Sequence, residues 1–397
     1  MKRLMSVCAA AVCAAVAFAV PKAEWLPADV DFTLAAICMQ QEDLVVYTAW
    51  KEALTGLHPM LDQVFAEQQD VKKLAEEPEI YAVVKALTGC SEDGKQMALK
   101  SIAFGANFPK TDTEADREKV HLMAIFENPT FQIEAFDQAL QALIKAKGDQ
   151  DKKVSVVKVG EWRQLKEESG EDEFAFCYKP CAQGLMMVLA KTVAEAEQWL
   201  AGAKLAADAP AAAPFAVVKK PADCAYALKD VAELLNRYVT DPEIRKQMEL
   251  QAPWSFKTHR VMFSGSLEGV NGVAKVAAAT DSAEVAGQLK NALEMYRMMA
   301  AQMILPAVFQ KPDAALCTWL TKSVTLETVG AEMQLKAVFE PKAVATIAKE
   351  CLELQAKQSQ DVEALLDDDE DFEDDEDDGE EMTLEEATKI LDGIEGK

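Results

Sequence analysis

FKTHRVMFSGSLEGVNGVAKVAAA, residues 256–279, holds two strand-like runs, Phe256 to Leu267 and Val273 to Ala279, on either side of Gly269-Val270-Asn271-Gly272. Glycine and asparagine tolerate the positive φ of a tight turn, so the two runs are expected to pair as an antiparallel hairpin. A helix-period run from Ser282 to about Ile304 follows. An earlier stretch has the same order. Strand-like Leu99 to Phe108 and Val120 to Phe126, joined by the polar Lys110 to Lys119, precede a run from Phe131 to Lys145. Its Phe136, Leu140, Leu143 and Ile144 share one helical face.

The correspondence extends in both directions. Leu26-Pro27-Ala28-Asp29 leads into the apolar Phe32 to Cys38, and Lys220-Pro221-Ala222-Asp223 leads into Cys224 to Leu228, each before a helical pattern. Downstream, Lys153 to Leu165, Glu173 to Tyr178 and Leu185 to Ala190 precede a helix from Thr192 to Leu205. Leu316 to Leu326 and Glu332 to Phe339 precede a helix from Pro341 to Gln355, with Pro341 where a first-turn proline is tolerated. Hairpin-joined strands with helices between them predict an α+β fold. The expected form is two similar modules, each a mainly antiparallel sheet with helices packed on it. The alanine- and proline-rich Ala206 to Pro214 reads as the connector. The expected divisions are a signal peptide at 1–19, modules at 20–207 and 208–360, an acidic disordered tether at 361–381 and a short amphipathic helix at 382–397.

The leader sets the compartment. Lys2 and Arg3 precede an uncharged stretch from Leu4 to Ala17, and Ala17-Phe18-Ala19 is the small-x-small pattern of a cleavage site. A retained anchor would need about 20 apolar residues. A lipoprotein would carry its cysteine at the end of the apolar core, whereas Cys8 and Cys13 lie inside it and Ala10-Ala11-Val12 lacks the usual leucine. A protein released into a bacterial periplasm or beyond, beginning near Val20 and without stable membrane insertion, is the expectation. Directly after the leader, Glu24-Trp25-Leu26-Pro27-Ala28-Asp29 opens the duplicated strand-helix-hairpin module. In this the chain resembles a group of exported bacterial proteins of unassigned function, over residues 24 to about 358. The resemblance rests on Pro-Ala-Asp, and the second copy lacks the preceding Trp-Leu. It implies a fold and carries no catalytic residues.

Charge narrows the partners. Of a formal −26, residues 361–397 supply 19 acidic and 2 basic side chains, a net of −17, so the body is mildly acidic and the tail extremely so. Neither has a Lys/Arg stripe that would neutralise phosphates, which argues against nucleic acid. Without Cys8 and Cys13, seven cysteines remain, so at least one is unpaired or bonds another chain. Cys177 and Cys181 flank Tyr178-Lys179-Pro180, where a turn would bring the sulfurs close enough to bond; buried reduced thiols are the alternative.

The chemical motifs are incomplete. Gly89-Cys90-Ser91-Glu92-Asp93-Gly94-Lys95 has the glycine and lysine spacing of a phosphate loop, but Gln96 stands where Ser or Thr must hold magnesium. His58, His121 and His259 are the only imidazoles, and none is paired at helical spacing. Met295, Met298, Met299 and Met303 recur on one helical stripe that continues Leu289 and Leu293, which favours core packing over a thioether copper site or a partner groove. In the tail, 13 of the 15 residues from Asp367 to Glu381 are acidic, a composition that repels itself. Asp374, Glu376 and Asp378 with Glu385 fit the ligand spacing of an EF-hand loop loosely, and weak calcium binding is expected there rather than a rigid site. Thr383-Leu384-Glu385-Glu386 is a capping box opening the stripe Leu384, Ala387, Ile390, Leu391 and Ile394.

With no resident cofactor and no assembled nucleophile and base, the sequence reads as a non-catalytic exported or envelope scaffold that binds another envelope or extracellular protein. The alternatives are a hydrolase using carboxylates in the cleft between the modules, and weak calcium binding as the function of the tail.

Overall fold

The computed structural model describes residues 20–38, 44–57, 77–90, 97–109, 120–147, 154–167, 175–190 and 192–367. The leader, His58, residues 91–96, and the tail with Asp374, Glu376, Asp378, Glu385 and the expected terminal helix lie outside them.

The elements in chain order begin with β1 (Phe32–Ile37), α1 (Leu44–Leu54), α2 (Pro78–Thr88), β2 (Ser101–Ala106), β3 (Leu122–Glu127) and α3 (Ile133–Lys147). Next come β4 (Val154–Val159), β5 (Trp162–Glu167), β6 (Ala175–Cys181), β7 (Gly184–Ala190), α4 (Val193–Leu200) and α5 (Ala213–Val217). Then β8 (Cys224–Lys229), α6 (Val231–Tyr238), α7 (Pro242–Gln251), β9 (Thr258–Glu268), β10 (Asn271–Thr280) and α8 (Ala283–Met299) lead through a π-helical turn, Ala300–Ile304, into α9 (Leu305–Phe309). The last are α10 (Ala315–Lys322), β11 (Val324–Val329), β12 (Glu332–Phe339) and α11 (Pro341–Asp367). From Cys351 onward α11 belongs to a second compact unit.

The hairpin at 256–279 forms as its glycines dictate. Glu268 pairs with Asn271 across Gly269-Val270, and Gly269 takes φ +65°. Helix starts follow capping chemistry as well. Ser282 Oγ accepts from Val285 N at 3.3 Å, Thr192 Oγ1 from Glu195 N at 3.1 Å, and Pro341 occupies the first position of α11.

The class is α+β, but the strands make one sheet. Its order is β11-β12-β10-β9-β8-β1-β2-β3-β7-β6-β5-β4, and every neighbouring pair is antiparallel. The expected separate sheets are joined because β1 pairs along its length with β8, from Phe32 opposite Leu228 to Ala36 opposite Cys224. Both strands therefore lie in the sheet interior. One face buries Leu26, Val30, Ala35, Ile37 and Ala225 beneath α4 and the 205–218 segment. The other packs α2 and α3 on the β2, β3, β7 side, around Phe126, Phe136, Leu140 and Leu185, and α8 on the β10, β12 side, around Ala278, Leu289 and Met333.

Several local expectations change, each for a physical reason. Leu316 to Leu326 is not one strand, because 315–322 is helical; Trp319 Nε1 donates to Val338 O at 2.7 Å and buried Cys317 faces inward. A short apolar run does not distinguish helix from strand by periodicity. Lys153 to Leu165 is divided by the two-residue turn Gly160-Glu161 into β4 and β5. Ala206 to Pro214 is not a free linker. Ala211, Ala212 and Phe215 are buried, and Thr33 Oγ1 donates to Ala211 O at 2.6 Å, so the connector seals the sheet over its middle strands. Helix α11 runs to Asp367, past Asp361 where the tether was expected to begin.

Cys177 and Cys181 are not bonded. The chain does not turn at Tyr178-Lys179-Pro180. It stays extended through β6 and turns at 182–183, which holds the two sulfurs four residues apart along one strand, about 13 Å of rise. Burial pushes the Cys177 thiol up to about 11, so it is a protonated core group at neutral pH. The two Pro-Ala-Asp motifs also do different work. Asp29 Oδ1 accepts from Trp199 Nε1 at 2.8 Å, while Asp223 Oδ2 accepts from Lys219 N and Lys220 N at 2.9 and 3.0 Å and closes its own turn.

A sheet continuous through β1 and β8 should unfold as one unit. Hydrogen exchange across a urea series is expected to show amides of β2 and β9 opening with the same free energy. Loss of protection in one half at a clearly lower urea concentration would mean that the β1–β8 seam is weak.

Candidate functional site

Side chains alternate across the pleat, so the strand registers place Phe104, Phe32, Leu34, Tyr226 and Phe263 on a single face, the one that carries α2, α3 and α8. They come from β2, β1, β8 and β9, four adjacent strands on both sides of the β1–β8 pairing. The Phe32 ring meets Phe104 edge-on at 5.9 Å and lies 6.0 Å from Tyr226, which stacks on Phe263 at 5.0 Å with 16° between planes. Cross-strand aromatic pairs of this kind stabilise a sheet by about 0.2–1 kcal/mol each. Yet Tyr226 remains 41% exposed and Phe263 39%. A soluble sheet ordinarily covers such a row or leaves polar groups there.

Two segments frame this row by crossing between halves. From α1, which follows β1, Trp50 Nε1 donates to Val270 O at 2.9 Å and its ring rests beside Gly272 in the β9–β10 hairpin. From α6, which follows β8, Arg237 Nη1 and Tyr238 Oη donate to Pro109 O at 3.2 and 3.3 Å, beyond β2.

A second apolar surface lies on α8 and its extension. The methionine stripe was expected in the core, but Met295 is 58% exposed and Met303 68%, with Tyr296, Met299, Ile304 and Val308 also exposed. Val285, Ala286 and Leu289 fill the core position instead. The sheet beneath α8 accepts only its first turns, and Arg297 then ties the helix sideways, donating from Nη1 to Leu320 O at 2.7 Å. Its Nη2 bonds Glu294 Oε1 at 2.5 Å, and this hydrogen bond holds the Glu294 carboxyl below its usual range.

Several titratable groups among the described residues hold the fold together. Arg163 Nε donates to Asp137 Oδ2 at 2.7 Å and Tyr178 Oη to Asp137 Oδ1 at 2.8 Å, tying α3 to β5 and β6. Burial, and next the hydrogen bond to Asp137, push the Tyr178 hydroxyl well above the usual tyrosine range. His121 stacks on Trp199 at 5.0 Å, with Nε2 3.2 Å from Glu195 Oε1 at ion-pair distance but without hydrogen-bond alignment. His259 pairs with Asp281 on the surface. The structure therefore uses His121 and His259 in separate contacts. Gly89 is the left-handed residue ending α2.

Glu350 shows how such groups serve the fold. It accepts from Lys311 Nζ and Ala315 N, both at 2.6 Å. Burial disfavours its charge, but these two donors outweigh that and hold its carboxyl below the usual range. A depressed folded-state value gives stability present above the unfolded carboxylate pKa and lost as pH falls through the folded one. Glu350→Gln is expected to lower the urea midpoint at pH 7 by an amount corresponding to about 1–2 kcal/mol. The difference from the parent should shrink toward about pH 3, and a pH-independent difference would refute the charge-based explanation.

Among the described residues, no three His, Cys, Asp or Glu side chains are gathered as a metal site, and no helix is long and apolar enough to cross a membrane. One cavity, of about 380 Å³, lies between α3 and β4 and is lined by Gln141, Ile144, Lys145, Val154, Ser155 and Val156. It joins neither the aromatic row nor the titratable clusters. The row itself has no local sequence signature, because its rings come from strands far apart in the chain; only the alternation Cys224-Ala225-Tyr226-Ala227-Leu228 hints at a side chain turned away from the small-residue face.

No protein-family model matches the chain, and no curated protein matches it. Among solved structures it is similar over 83% of its length to crystal forms III, I and IV of TP0453, covering 98%, 97% and 97% of those chains. The identities are 9%, 8% and 8% and the TM-scores 0.35, 0.35 and 0.36, a level at which nothing is carried over from those proteins.

Proposed function

We propose that this chain is an exported, non-catalytic interaction scaffold made of two similar halves, and that it binds another envelope or extracellular protein over the middle of its sheet. The duplication is supported by register. Following the strand pairs outward from the β1–β8 seam matches Phe32–Ile37 with Cys224–Lys229, Ser101–Ala106 with 260–265 and Leu122–Glu127 with 274–279. It continues by matching Gly184–Ala190 with 332–338 and Ala175–Cys181 with 323–329. No residue is gained or lost at the outer turns, where Cys181 opposite Gly184 corresponds to Val329 opposite Glu332. In this alignment Phe104 matches Phe263 and Leu34 matches Tyr226, while Pro27 and Pro221 fall two residues out of step. The β4–β5 hairpin is an addition to the first half.

The observation that carries the functional reading is the aromatic row at that seam, in which Phe32 and Phe104 are half-buried and Tyr226 and Phe263 are exposed. Aromatic side chains give large contact area at low entropic cost and dominate protein interfaces. Export is inferred from the leader. The test is photo-crosslinking in intact cells, with benzoylphenylalanine at position 226 or at position 329; Val329 is 58% exposed on the edge strand β11. Discrete adducts from 226 and none from 329 are expected. Equal or absent labelling from both positions would overturn the assignment.

A further inference from the structure

Independently of partner binding at the seam, the outward side of α8 carries a set of metal donors. The inward side of that helix fills the core with Val285, Ala286 and Leu289. Opposite them Glu284, Gln288 and Asn291 are exposed, as the solvent side of an amphipathic helix should be. The same line then continues as Met295, Met299 and Met303, all exposed and spaced by four. Residues four apart on a helix are neighbours, with Cβ atoms about 5–6 Å apart. Three rotatable bonds let each thioether swing toward the next.

The backbone improves this alignment. In an α-helix each step of four residues overshoots a full turn by about 40°, so three such positions drift around the axis. Here the segment Ala300–Ile304 is a π turn, which closes on longer hydrogen-bonded rings and takes more residues per revolution. The four steps from Met299 to Met303 therefore fall close to one revolution, and Met303 stays in line with Met295 and Met299. Turns of this kind occur frequently at functional sites.

The surrounding chemistry selects the ion. From Met295 to Gln310 the only charged side chain is Arg297, and its guanidinium is directed to Leu320 O and Glu294. Met298 is half-buried and its sulfur accepts from Arg297 Nη2 at 3.7 Å, which sets it apart from the outward line. The line thus offers three neutral sulfurs and no carboxylate or imidazole. Calcium and magnesium require oxygen donors and zinc favours imidazole and thiolate, whereas thioethers suit Cu+. We propose that Met295, Met299 and Met303 together bind one Cu+ ion through their three thioether sulfurs.

The test titrates the purified chain, labelled with 13C at the methionine methyl groups, with silver(I), which has the charge and softness of Cu+ without its redox chemistry. Cysteine thiols take up the same ion, so the readout is the NMR shift of each methionine methyl. Those of Met295, Met299 and Met303 should move together and saturate with one ion, while Met298 and the buried Met123, Met187 and Met333 stay in place. Calcium and zinc should move none of the three. Met299→Leu conserves volume at an exposed position and leaves the fold intact. Loss of a ligand costs at least what loss of a supporting contact does, so silver affinity at Met295 and Met303 should fall about tenfold or more. Met298→Leu should leave it unchanged. No shift of the three methyls up to millimolar silver would overturn the proposal and leave the ridge an apolar surface. Shifts of the three at unrelated silver concentrations, or a Met299→Leu chain that binds as tightly as Met298→Leu, would also overturn it.

Discussion

Asp137→Ala is expected to destabilise the protein by about 3–5 kcal/mol, a large share of the margin of an ordinary fold. Asp137 is the shared acceptor for Arg163 Nε and Tyr178 Oη, and Tyr178 is fully buried. Alanine leaves a mostly buried guanidinium without its carboxylate and a buried hydroxyl without an acceptor, and both penalties act at once. Tyr178→Phe removes one hydrogen-bonding partner, keeps the ring packed on Phe136 at 5.3 Å and should cost only about 1 kcal/mol. Urea unfolding of the two variants separates these values. Equal losses would mean that ring packing, and not the polar network, holds α3 to β6.

The second large effect is expected at Gly184, which begins β7 with φ +145°. A Cβ there would stand 2.6 Å from Phe126 O, 2.7 Å from Asn128 N and 2.9 Å from Asn128 O. All three are backbone atoms of β3 and the residue after it, so no side chain can swing aside. Asn128 N also donates to Gln183 O at 2.9 Å, fixing the neighbouring strand at that distance. Gly184→Ala should cost about 2–4 kcal/mol from steric displacement plus backbone strain, visible as a fall in thermal midpoint. A change below about 0.5 kcal/mol would show that β3 and β7 separate easily at this end.

Much of the fold is legible from residues whose chemistry acts locally. Gly269 and Gly272 specify a hairpin whatever surrounds it, and Ser282 and Thr192 announce helices by capping them. What stays hidden depends on partners distant in sequence. Helix α10 is a short apolar run that only its position between Arg297 and β12 makes helical. The alanines at 211 and 212 resemble a linker until the sheet face beneath them needs a cover. The methionines of α8 carry a core-like spacing, but the sheet does not extend under them, so the same spacing produces an exposed ridge. The aromatic row is the extreme case. Phe104, Phe32, Tyr226 and Phe263 meet only because β1 pairs with β8, and nothing in either strand alone states that pairing.

The central claim, that this row is an interaction face, is tested most directly by hydroxyl-radical footprinting of Tyr226 and Phe263 in the purified protein and in intact cells. Both rings should be modified readily in the purified protein and protected several-fold in the cell, while Val329 on the edge strand is modified equally in the two settings. Equal modification of Tyr226 and Phe263 in both settings would contradict the claim.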